Sequence, residues 1–184
     1  ILGDLYTLPI AGGRAERLTH GMAYDAQPRF SPHGGSIVFV SDRSGGQNLW
    51  VLSLEDRALK QLTRGDDDLY TSPEWTPDGE YVVASKTFSP LGGTAKLWLY
   101  NVNGGTGAQL IREPENLKTL GAAFGDDGRL IWYAQRTGET TDMSTQSGPA
   151  SRPTLSPDGR WLVSGSRHDA QTGLRIRDLE TGEE

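Results

Sequence analysis

The stretch RPTLSPDGRWLVSG at residues 152–165 has a near-copy, SPEWTPDGEYVVAS, at residues 72–85. In both, Pro-Asp-Gly separates two short runs rich in aromatic and β-branched residues. Proline fixes φ at the first corner of a type I turn, aspartate bonds its own backbone at the second, and glycine takes the positive φ that follows. The flanking runs have the composition of strands. Each copy therefore predicts a β-hairpin with a tight turn.

Two weaker copies make this hairpin a repeat. QPRFSPHGGSIVFVS has His33 in place of aspartate, and GAAFGDDGRLIWYA has Gly125-Asp126 in place of Ser/Thr-Pro. Two of the three intervals between copies fit a four-stranded propeller blade, for which the period is roughly 40 to 50 residues. The intervals are 45, 49 and 31 residues, measured between the turn glycines Gly34, Gly79, Gly128 and Gly159.

The composition supports the same fold class. The 24 Gly and 10 Pro provide turns for many short strands, and no long stretch shows the apolar period of a helix. We therefore predict an all-β protein, a β-propeller of four-stranded antiparallel blades with almost no helix. Equivalent positions of the inner strands are expected at Phe30, Trp75, Phe124 and Leu155.

The repeats amount to a partial propeller of about three and a half to four blades. The first residues match the outer strands of a blade without a preceding hairpin, so we expect a segment of a longer polypeptide. The short third interval indicates either a truncated blade or residues missing around 139–146, and we favour the second. The expected units are 1–20 (outer strands), 25–64, 70–112, 118–146 (incomplete) and 150–184 (lacking its last strand).

Charge and composition exclude several function classes. The chain has 18 Lys+Arg against 24 Asp+Glu, a net charge of −6, and no long basic run, which disfavours a nucleic-acid surface. No apolar run reaches the ~18 residues of a membrane span. The absence of cysteine excludes disulfides and thiol catalysis.

No residue pattern predicts a catalytic, metal or cofactor site. No Gly-x-Ser-x-Gly motif of a serine hydrolase is present. Asp66-Asp67-Asp68 lacks the spacing of a calcium loop, and a solvated loop is the favoured interpretation. The three histidines lie in different repeats without the spacing of paired metal ligands; they are His20, His33 and His168. We therefore expect no catalytic residue, no metal ligand and no cofactor in this segment.

Three arginines form the candidate binding site. They follow their turn glycines by nine, eight and eight residues, which places them in the loops leaving the second strands, on one face of the disc. Such loops carry binding in propellers because rigid blades hold them. The alternative is that pairs such as Asp42-Arg43 brace neighbouring loops by hydrogen bonds. The candidates are Arg43, Arg136 and Arg167.

The repeats resemble a known family. FSPHGGSIVFVSDRSGGQNLWVLSL, with its Ser-Pro turn, Ser-Asp-Arg-x-Gly-Gly and Asn-Leu-Trp, is similar to the repeats of TolB-like propellers. The two ends, GDLYTLPIAGGRAERLTHGMAYDAQPRFSP and RPTLSPDGRWLVSGSRHDAQTGLRIRDLETGEE, resemble the amino-terminal propeller of large secreted or periplasmic proteins that continue into a metal-dependent amidohydrolase domain. The departures at His33 and Gly125-Asp126 change only turn tips.

This resemblance implies a non-catalytic scaffold that gates a hydrolase or holds a partner. Its partners would be the remaining blades or a catalytic domain of the same polypeptide, or other proteins. Its location would be periplasmic or secreted. The alternatives are a free-standing protein-binding module of the bacterial envelope and, more weakly, the propeller of a prolyl-oligopeptidase-type serine peptidase.

Overall fold

The computed structural model describes residues 3–88, 94–112, 117–125, 128–136, 151–168 and 171–184. The expected gap around 139–146 lies outside these ranges. The described residues form strands and turns and contain no helix, so the all-β prediction is confirmed. The strands are β1 (Tyr6–Thr7), β2 (Glu16–Arg17), β3 (Asp25–Phe30), β4 (Ser36–Ser44), β5 (Gly46–Ser53), β6 (Leu59–Gln61), β7 (Asp68–Trp75), β8 (Tyr81–Phe88), β9 (Lys96–Asn101), β10 (Ala108–Gln109), β11 (Leu117–Phe124), β12 (Leu130–Arg136), β13 (Ser151–Leu155), β14 (Trp161–His168) and β15 (Gln171–Asp178).

The strands pair as consecutive antiparallel neighbours, as in the blades of a propeller. Strands β3 to β6 form one four-stranded unit, and β7 to β10 form the next. A single parallel bridge between Gln47 and Leu69 connects these two units. Strands β1 and β2, β11 and β12, and β13 to β15 form the other sheets. The architecture is that of a partial propeller, as the sequence predicted.

The repeated turn is held by its own side chains. Thr76 Oγ1 accepts a hydrogen bond from the Tyr81 amide at 3.0 Å, and Asp78 Oδ1 accepts one from the Glu80 amide at 2.9 Å. The bond from the Thr76 hydroxyl is the main cause that lowers the pKa of Asp78. The last turn repeats this arrangement, with Ser156 and Asp158 in the same roles. The Ser/Thr-Pro-Asp-Gly pattern therefore closes the hairpin through local hydrogen bonds.

The turn at Gly125 closes differently because it has no hydroxyl. The amide of Gly125 donates to the carbonyl of Arg129, four residues on, whereas the amide of Thr76 donates to the carbonyl of Tyr81, five residues on. As a result Phe124 pairs with Leu130 in this hairpin. The departure from the repeat shortens the loop by one residue and keeps the hairpin.

The core lies between blades. In β4 four consecutive residues from Ile37 to Val40 are buried, because both faces of this strand are covered by neighbouring sheets. One face packs with Leu5 and Leu18 of the preceding sheet. The other face packs against the following blade, where Trp75, Val82, Ala84 and Tyr100 complete the cluster. Burial of this kind makes each blade depend on its neighbours for stability.

Candidate binding site at the propeller axis

The first strand of each hairpin is bulged at the same point. In β3 the register shifts between Ala26 and Arg29, and in β7 between Thr71 and Glu74. The bulge residues have positive φ, which is uncommon for residues other than glycine. They lie seven residues before their turn glycines, and they are Gln27 (φ 56°), Ser72 (φ 52°) and Gly121 (φ 60°).

The bulged strands surround two adjoining cavities. The first, of about 320 Å³, is lined by Gln27, Ser72, Gly121 and Pro153, one residue from each of four inner strands. The second, of about 460 Å³, lies at the turn ends of the same strands. Arg29 lines both. We call the two together the axial cavity, because inner strands of successive blades meet at the axis of a propeller.

Hydrogen bonds between blades fix the bulges. The Oε1 of Gln27 accepts a hydrogen bond from the amide of Ser72 in the next blade at 2.7 Å. The Oγ of Ser85 in β8 accepts one from the amide of Gly121 at 3.0 Å. A bulge frees a backbone amide from its own ladder, and in β7 and β11 a side chain of the preceding blade accepts the hydrogen bond of that amide. The wall of the axial cavity is therefore rigid.

An ion pair crosses the wall between two blades. The Nε of Arg29 lies 3.1 Å from Oε2 of Glu74, with side chains 44% and 24% exposed. The indole Nε1 of Trp75 donates to the carbonyl oxygen of Arg29 at 3.1 Å. Burial raises the pKa of Glu74 above its usual value, and the nearby Arg29 offsets only part of this effect. The carboxylate is thus held in a poorly hydrated position.

The apolar residues predicted at equivalent positions occupy the ends of the four inner strands. Their pairing confirms the equivalence: Phe30 with Ile37, Trp75 with Val82, Phe124 with Leu130, and Leu155 with Leu162. All four line the second part of the axial cavity. Trp75 is buried, whereas 57% of Phe30 is exposed. An exposed aromatic side chain, Phe30, beside Arg29 is a combination enriched in protein-binding surfaces.

We expect the stability of the fold to decrease as the pH rises through the titration of Glu74. Its pKa is raised in the folded state, so the native protein binds more protons than the unfolded chain between the ordinary glutamate pKa and the raised one. Glu74→Gln removes this dependence. Urea unfolding across that window should show wild type losing stability relative to the variant as the pH rises.

The matched control is Glu80→Gln, which changes an exposed glutamate. It should leave the pH dependence as in wild type. A Glu74→Gln variant with an unchanged pH profile would contradict the assignment of a poorly hydrated carboxylate to the axial cavity.

Of the three predicted arginines, Arg43 has a described side chain. Its Nη2 donates to Oδ1 and Oδ2 of Asp25 at 2.8 and 2.7 Å, and its Nε donates to the Ser41 hydroxyl at 2.9 Å. Its guanidinium also lies over the rings of Phe39 and Trp50, at 5.3 and 5.2 Å from their centroids. The contacts brace the blade internally.

The other sequence candidates are placed as follows. The predicted loop position of the three arginines is wrong, because Arg43, Arg136 and Arg167 belong to the second strands themselves, β4, β12 and β14. The side chains of Arg136, Arg167 and His168 lie outside the described part. Binding by the three arginines therefore stays a prediction. His20 and His33 are exposed. Within the described ranges no group of three or more His, Cys, Asp or Glu residues could hold a metal ion.

Sequence reasoning placed the four apolar residues at the ends of the inner strands but predicted no cavity there, and it did not identify the polar wall residues Gln27, Arg29 and Glu74. Proline recurs six residues before three of the turn glycines, at Pro28, Pro73 and Pro153, and this constant position was the available signal for the bulged inner strand. Nothing in the sequence pairs Arg29 with Glu74, because these residues are 45 positions apart and meet only when two blades pack.

Comparisons with known proteins agree with the architecture. A family model described as "TolB beta propeller domain" matches residues 2–145. The uncharacterized peptidase YuxL of Bacillus subtilis is 29% identical over 79% of this chain and 22% of its own length. The Tol-Pal system protein TolB of Gluconobacter oxydans is 30% identical over 72% of this chain and 38% of its own.

A solved structure gives the same fold. The crystal structure of TolB from Acinetobacter baumannii superposes with a TM-score of 0.72 at 21% identity, covering 96% of this chain and 46% of that one. The chain thus spans between about a fifth and a half of the lengths of these relatives. Among the described residues, no helix is long and apolar enough to cross a membrane.

Proposed function

Because the chain belongs to the TolB beta propeller domain family, we propose that it is the non-catalytic propeller of a larger hydrolytic protein and that its axial cavity holds a protein segment. The axial cavity is the observation that carries this proposal. Its wall combines exposed Phe30 and the Arg29–Glu74 pair with backbone fixed by hydrogen bonds between blades. Because the backbone of this wall is already fixed, binding of a partner does not carry the entropy cost of ordering loops.

The parent protein that we propose is a metal-dependent amidohydrolase of the periplasm or the secreted fraction. Support for this comes from the resemblance of the two ends of the chain to propellers of that class. The propeller would gate access to the hydrolase or bind it, and the metal and the reacting groups would belong to the catalytic domain.

Two alternative functions are each supported by similarity to a known protein. The similarity to the peptidase YuxL favours a serine-peptidase parent, and the similarity to TolB of Gluconobacter oxydans favours a free-standing protein-binding module. The reading frame beyond Glu184 distinguishes the three. Paired histidines on a barrel strand would indicate an amidohydrolase, a Gly-x-Ser-x-Gly motif a peptidase, and a stop codon a free-standing module.

A photo-crosslinking residue at position 30 of the intact protein tests the binding site. We expect crosslinks to one defined segment, either in a second domain of the same polypeptide or in a partner protein, mapped by mass spectrometry. In the control, the photo-crosslinking residue replaces Ile10, which is fully exposed in the β1–β2 hairpin. Equal crosslinking from both positions, or none from position 30, would refute binding at the axis.

A further inference from the structure

Two interfaces between neighbouring blades are formed by equivalent strands but have different side chains at one position. In β4, Phe39 stands opposite Trp50 of β5, and it is fully buried against the β1–β2 sheet. In β8, Ala84 stands opposite Trp98 of β9 at the equivalent position. Ala84 is itself fully buried, in a cluster that includes Val40 and Tyr100.

A cleft opens at this second interface. It has a volume of about 450 Å³, within the range of small-molecule sites. We call it the rim cleft. Gln61 and Arg64 line it from one blade, and Lys86, Tyr100 and the turn at residues 104–106 line it from the next.

The charge of the rim cleft is opposite to that of the chain. Arg64 and Lys86 line it, and because Asp68 balances the charge of Lys86, the net positive charge of the cleft is that of Arg64, although the net charge of the protein is −6. Lys86 is held in place by Asp68, 2.8 Å from its Nζ, and by the ring of Phe88, whose centroid is 4.4 Å away. Arg64 is exposed and forms no ion pair within the described part of the chain. A free guanidinium beside a fixed ammonium favours an anionic ligand.

A buried polar group in the wall lacks a partner. Tyr100 is 4% exposed, and its hydroxyl has no hydrogen-bond partner among the described residues. Burial, with a smaller contribution from the neighbouring Tyr70 side chain, raises the pKa of Tyr100 above its usual range, so the hydroxyl stays protonated. The neighbouring Gly104 and Gly105 have φ of 117° and 123° with open space around their backbone. A ligand oxygen in the rim cleft would give this buried donor an acceptor.

We propose that the rim cleft binds a small organic molecule carrying a carboxylate. Arg64 and Lys86 hold the carboxylate, and the hydroxyl of Tyr100 donates to a ligand oxygen once the ligand is seated. Residues 104–106 form the opposite wall. The site lies between two blades, away from the axial cavity, and does not depend on the proposed function.

Titration of the intact protein with succinate tests the proposed carboxylate site. Binding is measured by calorimetry and by NMR shifts of the amides of residues 104–106. Arg64→Gln is expected to weaken binding about tenfold or more, because a charge-assisted hydrogen bond is lost. Tyr100→Phe should weaken it by a smaller factor without loss of stability, since the hydroxyl has no partner in the unliganded fold. The neutral analogue succinamide should not bind.

Arg14→Gln is the matched control, because Arg14 is exposed in the β1–β2 hairpin and does not line the cleft. It should bind succinate as wild type does. No binding of succinate, or equal binding by Arg64→Gln, would overturn the proposal. Inorganic phosphate is titrated in parallel, and binding of phosphate without succinate would overturn the carboxylate assignment.

Discussion

Replacing Arg43 with methionine is expected to lower the free energy of unfolding by about 3–5 kcal/mol. The side chain of Asp25 is 1% exposed, and both of its oxygens accept from Arg43 at 2.8 and 2.7 Å. The substitution leaves this carboxylate buried without a partner, which costs its full desolvation. Urea unfolding followed by tryptophan fluorescence measures the change.

Two further variants separate the causes. Arg57→Met removes the arginine of an exposed pair with Glu16, and it should cost less than about 1 kcal/mol. The double variant Asp25→Leu/Arg43→Met should recover most of the lost stability, because it removes both buried charges together. A loss below about 1 kcal/mol for Arg43→Met, combined with a loss of partner affinity, would instead support the sequence-based hypothesis that this arginine binds a ligand.

Phe39→Ala is expected to cost about 3–5 kcal/mol. Phe39 is fully buried and packs between Leu5, Leu18 and Leu52, and its ring also supports the guanidinium of Arg43 at 5.3 Å. The backbone tolerates alanine at this point of a blade, as Ala84 shows, so the cost comes from the cavity and the lost contacts. Hydrogen exchange of the β4 and β5 amides in the intact protein should become faster.

The control for this substitution is Leu8→Ala, since 58% of Leu8 is exposed. It should change the free energy of unfolding by no more than about 0.5 kcal/mol. Unchanged protection of β4 in Phe39→Ala would mean that the interface between the first two sheets contributes little to the stability of this blade.

The fold class and the positions of the hairpins could be predicted from local sequence patterns. The turn chemistry of Pro-Asp-Gly acts over four or five neighbouring residues, and the structure retains it, with Thr76 and Asp78 bonding amides only a few positions away. The spacing of the turns then indicated blades, because the length of a four-stranded blade is set by strand and turn lengths that are local in the chain. Phe30 and Trp75 could be placed at equivalent positions for the same reason.

The contacts between blades, in contrast, became known only from the three-dimensional packing. Arg29 meets Glu74, and Gln27 meets the amide of Ser72, across 45 residues of sequence. The repeat pattern treats Phe39 and Ala84 as equivalent members of two strands, but Phe39 packs against the β1–β2 sheet, whereas Ala84 lies in the cluster between the next two blades. Contacts of this kind depend on how the volumes and charges of two separately formed sheets fit when they pack, and no local spacing in the chain records that fit.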